Sequence, residues 1–163
     1  LRTSLCTFER KRTVLIVDGD GGRATRHREA LEHVGFSVVV TEKGSTALER
    51  AAEIETDIVI VALVLDDARG TTVCVELKKH HKHGNLPVIL FGQFSTLAER
   101  EIAENAHRAD DFLQAPFDEA LLVERVLALT GRGARDESSL VVGLDEVRSL
   151  RRRPDPNFGH AVR

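Results

Sequence analysis

Four short runs of apolar residues constrain the fold of this chain more than any other feature. They are continuous and mostly β-branched, which suits strands that are buried on both faces of a parallel sheet. The runs are Val14–Val17, Val38–Val40, Ile58–Val61 and Val88–Phe91, and Phe112–Leu113 is a shorter candidate for a fifth strand.

Segments in which apolar residues recur with helical spacing lie between these runs. In the first such segment, His27 completes the apolar stripe, so it is placed on the face that packs against the sheet. Thr96 and Glu99 form a capping box that opens a helix over Leu97–His107. Asp118 is placed to cap the last helix.

The length allows one domain with short extensions. We divide the 163 residues into an N-terminal arm over 1–11, a domain over 12–131, and a C-terminal tail or linker over 132–163 that contains a candidate short helix. Strand and helix alternate five times within the domain, which predicts an α/β fold with helices on both faces of a parallel sheet. In such folds a functional site forms at the carboxyl ends of the strands.

Charge and hydropathy exclude several classes of function. The net charge of −3 gives no basic surface for nucleic acid. The longest apolar run, Ile58–Leu65, is far too short to span a bilayer, so no membrane association is expected. The two cysteines are distant in sequence and fit reduced thiols, which is consistent with a cytoplasmic protein.

The strand ends carry few groups that could catalyse a reaction. Their inventory is carboxylates, carboxamides and small residues, without Ser, Cys, Lys or His. A nucleophile paired with a base is therefore missing, and we expect that the chain is not an enzyme. The residues at these ends are Asp18, Gly19, Asp20, Ala62, Leu63, Gly92, Gln93, Gln114, Ala115 and Pro116.

Four segments, in order and at the right spacing, resemble the receiver domains of response regulators, which are CheY-like. They are Val14–Asp20, Asp57–Gly70, Leu86–Leu90 and Ala109–Phe117. The resemblance implies a doubly wound, flavodoxin-like (βα)5 domain with a five-stranded parallel sheet in the order 2-1-3-4-5. It also implies a cis peptide bond before Pro116.

Each of these segments departs from the family at the residue that does its chemistry. By resemblance, the phosphoacceptor position falls on Ala62 and the position that binds magnesium directly falls on Gly19. The Ser/Thr position falls on Gly92, and the Lys position falls on Ala115. The resemblance therefore implies a degenerate phosphorylation site with no catalytic residue.

Asp18 alone matches the acid pair of the family, and Asp20 follows it as an accessory acid. Magnesium usually needs one or two carboxylates together with phosphate oxygens, so these remnant acids are expected to bind it weakly or not at all. We expect two solvated acids at a strand end and no cofactor. Phe112 occupies the aromatic switch position of the family, where plain core packing is the simpler interpretation.

The leading hypothesis is a pseudo-receiver of a two-component, phosphorelay-type signalling system that acts by protein–protein contacts without phosphorylation. By resemblance, its partner is another signalling protein or domain, bound at the face made by the fourth helix, fifth strand and fifth helix. A homodimer is a further candidate assembly. The candidate contact residues are Arg100, Glu101, Glu104, Arg108, Asp111, Glu124 and Arg125.

Two alternatives stay open. The small residues at the degenerate site could leave a hollow in which Asp18, Gln93 and Gln114 orient a small polar ligand. Alternatively, the chain could keep phosphorelay activity through an unconventional acceptor. Asp66 and Asp67 lie beyond the strand end, so moving the acceptor to either breaks the spacing to the glycine at position 70.

Overall fold

The computed structural model describes residues 10–80, 86–106 and 109–131, and within 102–106 it describes the backbone alone. Strands and helices alternate throughout these ranges, as the sequence predicts. The elements are β1 (Thr13–Val17), α1 (Gly21–His33), β2 (Ser37–Thr41), α2 (Gly44–Glu53), β3 (Ile58–Ala62), α3 (Gly70–His80), β4 (Val88–Gly92), α4 (Leu97–Ala106), β5 (Asp111–Gln114) and α5 (Glu119–Thr130).

The five strands form one parallel sheet in the order β2-β1-β3-β4-β5, which confirms the predicted doubly wound topology. Every residue of β3 is buried, because this strand is central and is covered on both faces. The edge strand β2 is only partly buried. Helix α1 packs beside α5, and α2 packs beside α3.

The predicted helix caps are present. The Asp118 carboxylate accepts a hydrogen bond from the first turn of α5, and Gly131 ends this helix in a left-handed conformation. At α4, Thr96 Oγ1 accepts from the Glu99 N–H at 3.1 Å, while the Glu99 carboxylate accepts from the Ser95 N–H at 2.9 Å. These caps fix the loop that leads from β4 into α4.

Residue Arg10 holds the start of the domain against its amino-terminal edge, where it forms ion pairs with Glu55 and Asp57. The remainder of the N-terminal arm, over 1–9, and the C-terminal tail with its candidate helix, over 132–163, lie outside the described residues. Within the described ranges, no helix is long and apolar enough to cross a membrane.

Candidate functional site

Strand register brings the candidate site residues to one edge of the sheet. Val17 pairs with Val61, so the residues that follow β1 and β3 emerge side by side. On the next strands, Ala62 pairs with Phe91, and the glycine that follows Phe91 pairs with Gln114. The carboxyl ends of β1, β3, β4 and β5 therefore form one surface, as the sequence predicts.

Asp18 is fully buried at this edge, and its carboxylate is held by an arginine. Arg23 Nε donates to Asp18 Oδ2 at 2.7 Å, and Arg23 Nη2 donates to Asp18 Oδ1 at 2.6 Å. The backbone N–H of Asp20 also donates to Asp18 Oδ1, at 2.9 Å. The prediction of a solvated acid is therefore wrong for Asp18, because a charge buried this deeply needs a paired cation and hydrogen bonds.

The guanidinium of Arg23 also contacts an aromatic ring. Its Cζ atom lies 5.2 Å from the centre of the Phe91 ring, an arrangement that favours a cation over the ring face. The hydrogen bonds that Arg23 donates to the Asp18 carboxylate raise the pKa of Arg23. Arg23 therefore links the end of β1 to the end of β4 from the first turn of α1.

Asp20 is exposed, as expected, but its carboxylate has a structural role. Its Oδ1 atom accepts from the Arg23 N–H at 3.0 Å and so caps the amino terminus of α1. This backbone hydrogen bond lowers the pKa of Asp20. The cap and the Asp18 ion pair thus share one short segment, in which each contact orients the other.

Ala62 is buried, and the start of α3 packs directly against its backbone. A Cβ atom on Gly70 would stand 2.1 Å from the Ala62 carbonyl oxygen, so only glycine fits at this point of close approach. Next along the edge, the side chain of Leu63 lies against Gly92. The Leu63 side chain therefore fills part of the hollow that the sequence predicts at the degenerate site.

The two acids of the loop after β3 have different environments. Asp67 accepts from the N–H groups of Gly44 at 2.8 Å and Ser45 at 3.0 Å, and these bonds lower its pKa to about 2. Asp67 thus caps α2 and does not face the degenerate site. Asp66 is exposed, and its Oδ2 atom lies 3.9 Å from where a Cβ atom on Gly19 would stand.

The segment around β5 has the features that the resemblance implies. The peptide bond between Ala115 and Pro116 is cis. Phe112 is half-buried, and its ring centre lies 5.8 Å from that of Phe94 in an edge-to-face contact. Gln114 is exposed at the strand end. The aromatic position therefore packs against the β4–α4 loop as well as against the core.

His27 is a buried polar side chain to which sequence reasoning gave no role beyond its place on the core face of α1. It stacks on Phe117 at 5.4 Å between ring centres and forms a T-shaped contact with Phe91 at 5.3 Å. Burial lowers the pKa of His27 to about 4, and in the described part of the chain its Nδ1 atom has no hydrogen-bond partner. His27 is therefore neutral near pH 7.

The charged residues proposed for partner binding are partly placed by the structure. Arg100 and Glu101 are exposed on α4, and Glu124 is exposed on α5. Arg125 Nη1 lies 3.1 Å from Asp111 Oδ2 and so joins α5 to β5 by an ion pair. The side chains of the two remaining candidates lie outside the described residues, namely Glu104 and Arg108.

A divalent metal ion does not fit the residues at this edge. Both oxygens of Asp18 already accept from Arg23, while the side chains at Gly19 and Ala62 supply no ligand atom. The Oδ1 atom of the exposed Asp20 carboxylate accepts the hydrogen bond that caps α1. In residues 10–80, 86–106 and 109–131, no group of three His, Cys, Asp or Glu side chains is placed to hold a metal.

Comparison with known proteins identifies the family. The family model for the response regulator receiver domain matches residues 14–127. The chain belongs to this family. Among curated proteins, this receiver domain is 30% identical over 149 residues to the transcriptional activator protein IrlR of Burkholderia pseudomallei, a match that covers 91% of the chain and 63% of the relative.

Further relatives agree with this assignment. The receiver domain is 28% identical over 139 residues to the sensory transduction protein RegX3 of Mycobacterium tuberculosis, which covers 85% of the chain and 60% of that protein. A solved structure of a response regulator from Chloroflexus aurantiacus superposes with a TM-score of 0.67 at 27% identity, covering 74% of the chain and 98% of its own. The receiver domain therefore spans less than two thirds of the length of these two curated relatives.

Proposed function

We propose that this receiver domain acts in the cytoplasm by binding another signalling protein without being phosphorylated, and that it is not an enzyme. The bidentate ion pair between Asp18 and Arg23 carries the proposal, because it occupies the single acid that matches the family pattern. The methyl group of Ala62 supports it as well, since this position has no oxygen to accept a phosphoryl group.

The proposed contact face consists of α4, β5 and α5. The exposed Arg100, Glu101 and Glu124 give it both signs of charge, together with the ion pair between Asp111 and Arg125. Such a mixture suits a partner with a complementary pattern, because charge pairs across an interface set its register and exclude wrong partners. A second copy of the chain would use the same face in a homodimer.

A charge swap tests this face without removing its internal ion pair. The double variant Asp111→Arg/Arg125→Asp inverts both charges but leaves opposite charges facing each other. The matched control is Arg50→Glu on α2, where Arg50 is exposed and forms an ion pair with Glu53 on its own helix. Partners are identified by co-purification from the native cells and mass spectrometry, with and without acetyl phosphate and Mg²⁺.

We expect the charge swap to lose the partner, the α2 control to keep it, and acetyl phosphate to change neither result. Retention of every partner by the charge swap would refute the assignment of the face. A partner that binds only after treatment with acetyl phosphate would refute the claim that binding is independent of phosphorylation.

One observation favours a second candidate function, phosphorelay through an unconventional acceptor. Asp66 is exposed, and its carboxylate lies close to Gly19 at the degenerate site, where acetyl phosphate could reach it. Asp67 is a poorer candidate because its carboxylate accepts two backbone hydrogen bonds from α2. Transfer to Asp66 would add one phosphoryl mass to the chain.

A further inference from the structure

The carboxylate of Asp18, which follows β1, is paired with a cation from the same chain. Receiver sites hold carboxylates that need a positive charge, and in this chain that charge comes from the side chain of Arg23, five residues after Asp18. The pair is asymmetric in its exposure: the Asp18 side chain is 0% exposed, while the Arg23 side chain is 35% exposed. The guanidinium therefore covers the buried carboxylate on its solvent side.

We infer that Arg23 is a built-in replacement for the divalent metal ion, and that it closes the acid site to metals. The guanidinium neutralises Asp18, uses both of its oxygens through a planar fork, and packs over Phe91. A metal ion would have to displace this arrangement and would then lie next to a fixed positive charge.

Three contacts make the arrangement a built feature of the fold. The Asp20 cap fixes the first turn of α1, from which Arg23 points back toward Asp18. The Asp20 N–H holds the same carboxylate from the backbone side. The Phe91 ring supports the guanidinium from β4. A resident cation therefore lies beside the position at which Gly19 provides no side-chain metal ligand.

The inference deepens the proposed function by naming what keeps the site inert, and it can be tested separately. Gly19→Asp returns a carboxylate to the direct-ligand position, where the nearest atoms to a new Cβ are 3.9 Å away, so the side chain has space. We compare Gly19→Asp with the double variant Gly19→Asp/Arg23→Met. Methionine keeps an unbranched apolar chain over Phe91 and donates no hydrogen bond to Asp18.

The probe is Mn²⁺ alone, and free Mn²⁺ is counted by electron paramagnetic resonance because the chain contains neither tryptophan nor tyrosine for fluorescence. The double variant is expected to bind Mn²⁺ at least about tenfold more tightly than Gly19→Asp, because a full positive charge has left the site. The matched control is Gly19→Asp/Arg26→Met, since Arg26 lies on the same helix, is exposed and pairs with Glu119 at 3.7 Å. This control should bind no more tightly than Gly19→Asp.

Equal affinities of Gly19→Asp and the double variant, including no binding by either, would overturn the inference. If the double variant lacks a cooperative thermal transition, the melt is repeated in millimolar Mn²⁺. Recovery of the transition supports the inference, and failure to recover it counts against it. These outcomes do not bear on phosphorylation of the parent chain, so failure of the inference and failure of the proposed function are distinguishable.

Discussion

The side chain of Leu63 lies so close to Gly92 that a Cβ atom on Gly92 would stand 2.7 Å from Leu63 Cδ1 and 2.9 Å from its Cβ. Gly92 is the residue that, by resemblance, occupies the Ser/Thr position of the family. The side chain of Leu63 therefore leaves no room for a Cβ atom at position 92. A substitution of Gly92 alone cannot restore the hydroxyl group of an active receiver.

Gly92→Thr is predicted to destabilise the fold by about 1–3 kcal/mol, because the new side chain overpacks against Leu63. Urea unfolding followed by circular dichroism measures the loss. Gly19→Thr is the control, since a Cβ atom there would meet nothing closer than 3.9 Å. Equal unfolding midpoints for the two variants would show that Leu63 does not restrict this position.

Ala62→Asp is predicted to lower the free energy of unfolding by roughly 3 kcal/mol in magnesium-free buffer, because it adds a second acid near the buried Asp18 without a cation to pair with it. Ala62→Asn has nearly the same volume and no charge, so the difference between the two isolates the electrostatic cost. A thermal melt in which Ala62→Asp is as stable as the parent would contradict this. We also expect that Ala62→Asp does not restore metal binding.

Burial of His27 predicts a pH dependence of stability. Its pKa is about 4 in the folded chain and 6.5 when unperturbed, so protonation in the folded state would cost about 3 kcal/mol. The unfolded chain takes up this proton first, and stability is therefore full above about pH 6.5 and falls as the pH drops toward 4. Among the charged groups around it, Asp18 and Asp20 raise the pKa, while Arg23 and Arg26 lower it.

His27→Leu should flatten the stability profile in this window, as measured by urea unfolding at a series of pH values. If His27→Leu keeps the full dependence of stability on pH, that dependence comes from another titrating group. The window lies above the range in which the carboxyl of Asp67 titrates, because that pKa is lowered to about 2.

Asp67→Ala is predicted to lower the melting temperature more than Asp66→Ala does. Both side chains are exposed, but the Asp67 carboxylate accepts two backbone hydrogen bonds at the amino terminus of α2. The difference should be present above about pH 3.8 and disappear as the pH falls toward 2. Equal melting temperatures near pH 7 would show that the Asp67 cap contributes nothing.

Local sequence signals predicted the elements that depend on near neighbours. These elements depend on residues that lie within a few positions of one another in the sequence. They are the capping box of Thr96 and Glu99, the cap at Asp118 and the apolar runs of the strands. Parallel pairing then placed Asp18 and Ala62 at one edge, because the carboxyl ends of such strands meet there.

Two features of the site depend on directions that spacing alone does not give. Arg23 is one of several arginines on α1, and its pairing with Asp18 follows from its place in the first turn, where side chains lean toward the helix amino terminus. The place of Arg23 in the first turn of α1 is the sequence signal from which its pairing with Asp18 could have been predicted. The contact of Leu63 with Gly92 depends on how the β3–α3 loop leaves the sheet, which no local pattern encodes.

The most direct test of the claim that this receiver domain is not phosphorylated is the intact mass of the chain after incubation with acetyl phosphate and Mg²⁺, beside a conventional receiver as positive control. We predict that the mass of this chain stays unchanged while the control gains one phosphoryl group. A gain of one phosphoryl mass by the chain, absent from its Asp66→Ala variant, would contradict the claim and identify Asp66 as the acceptor.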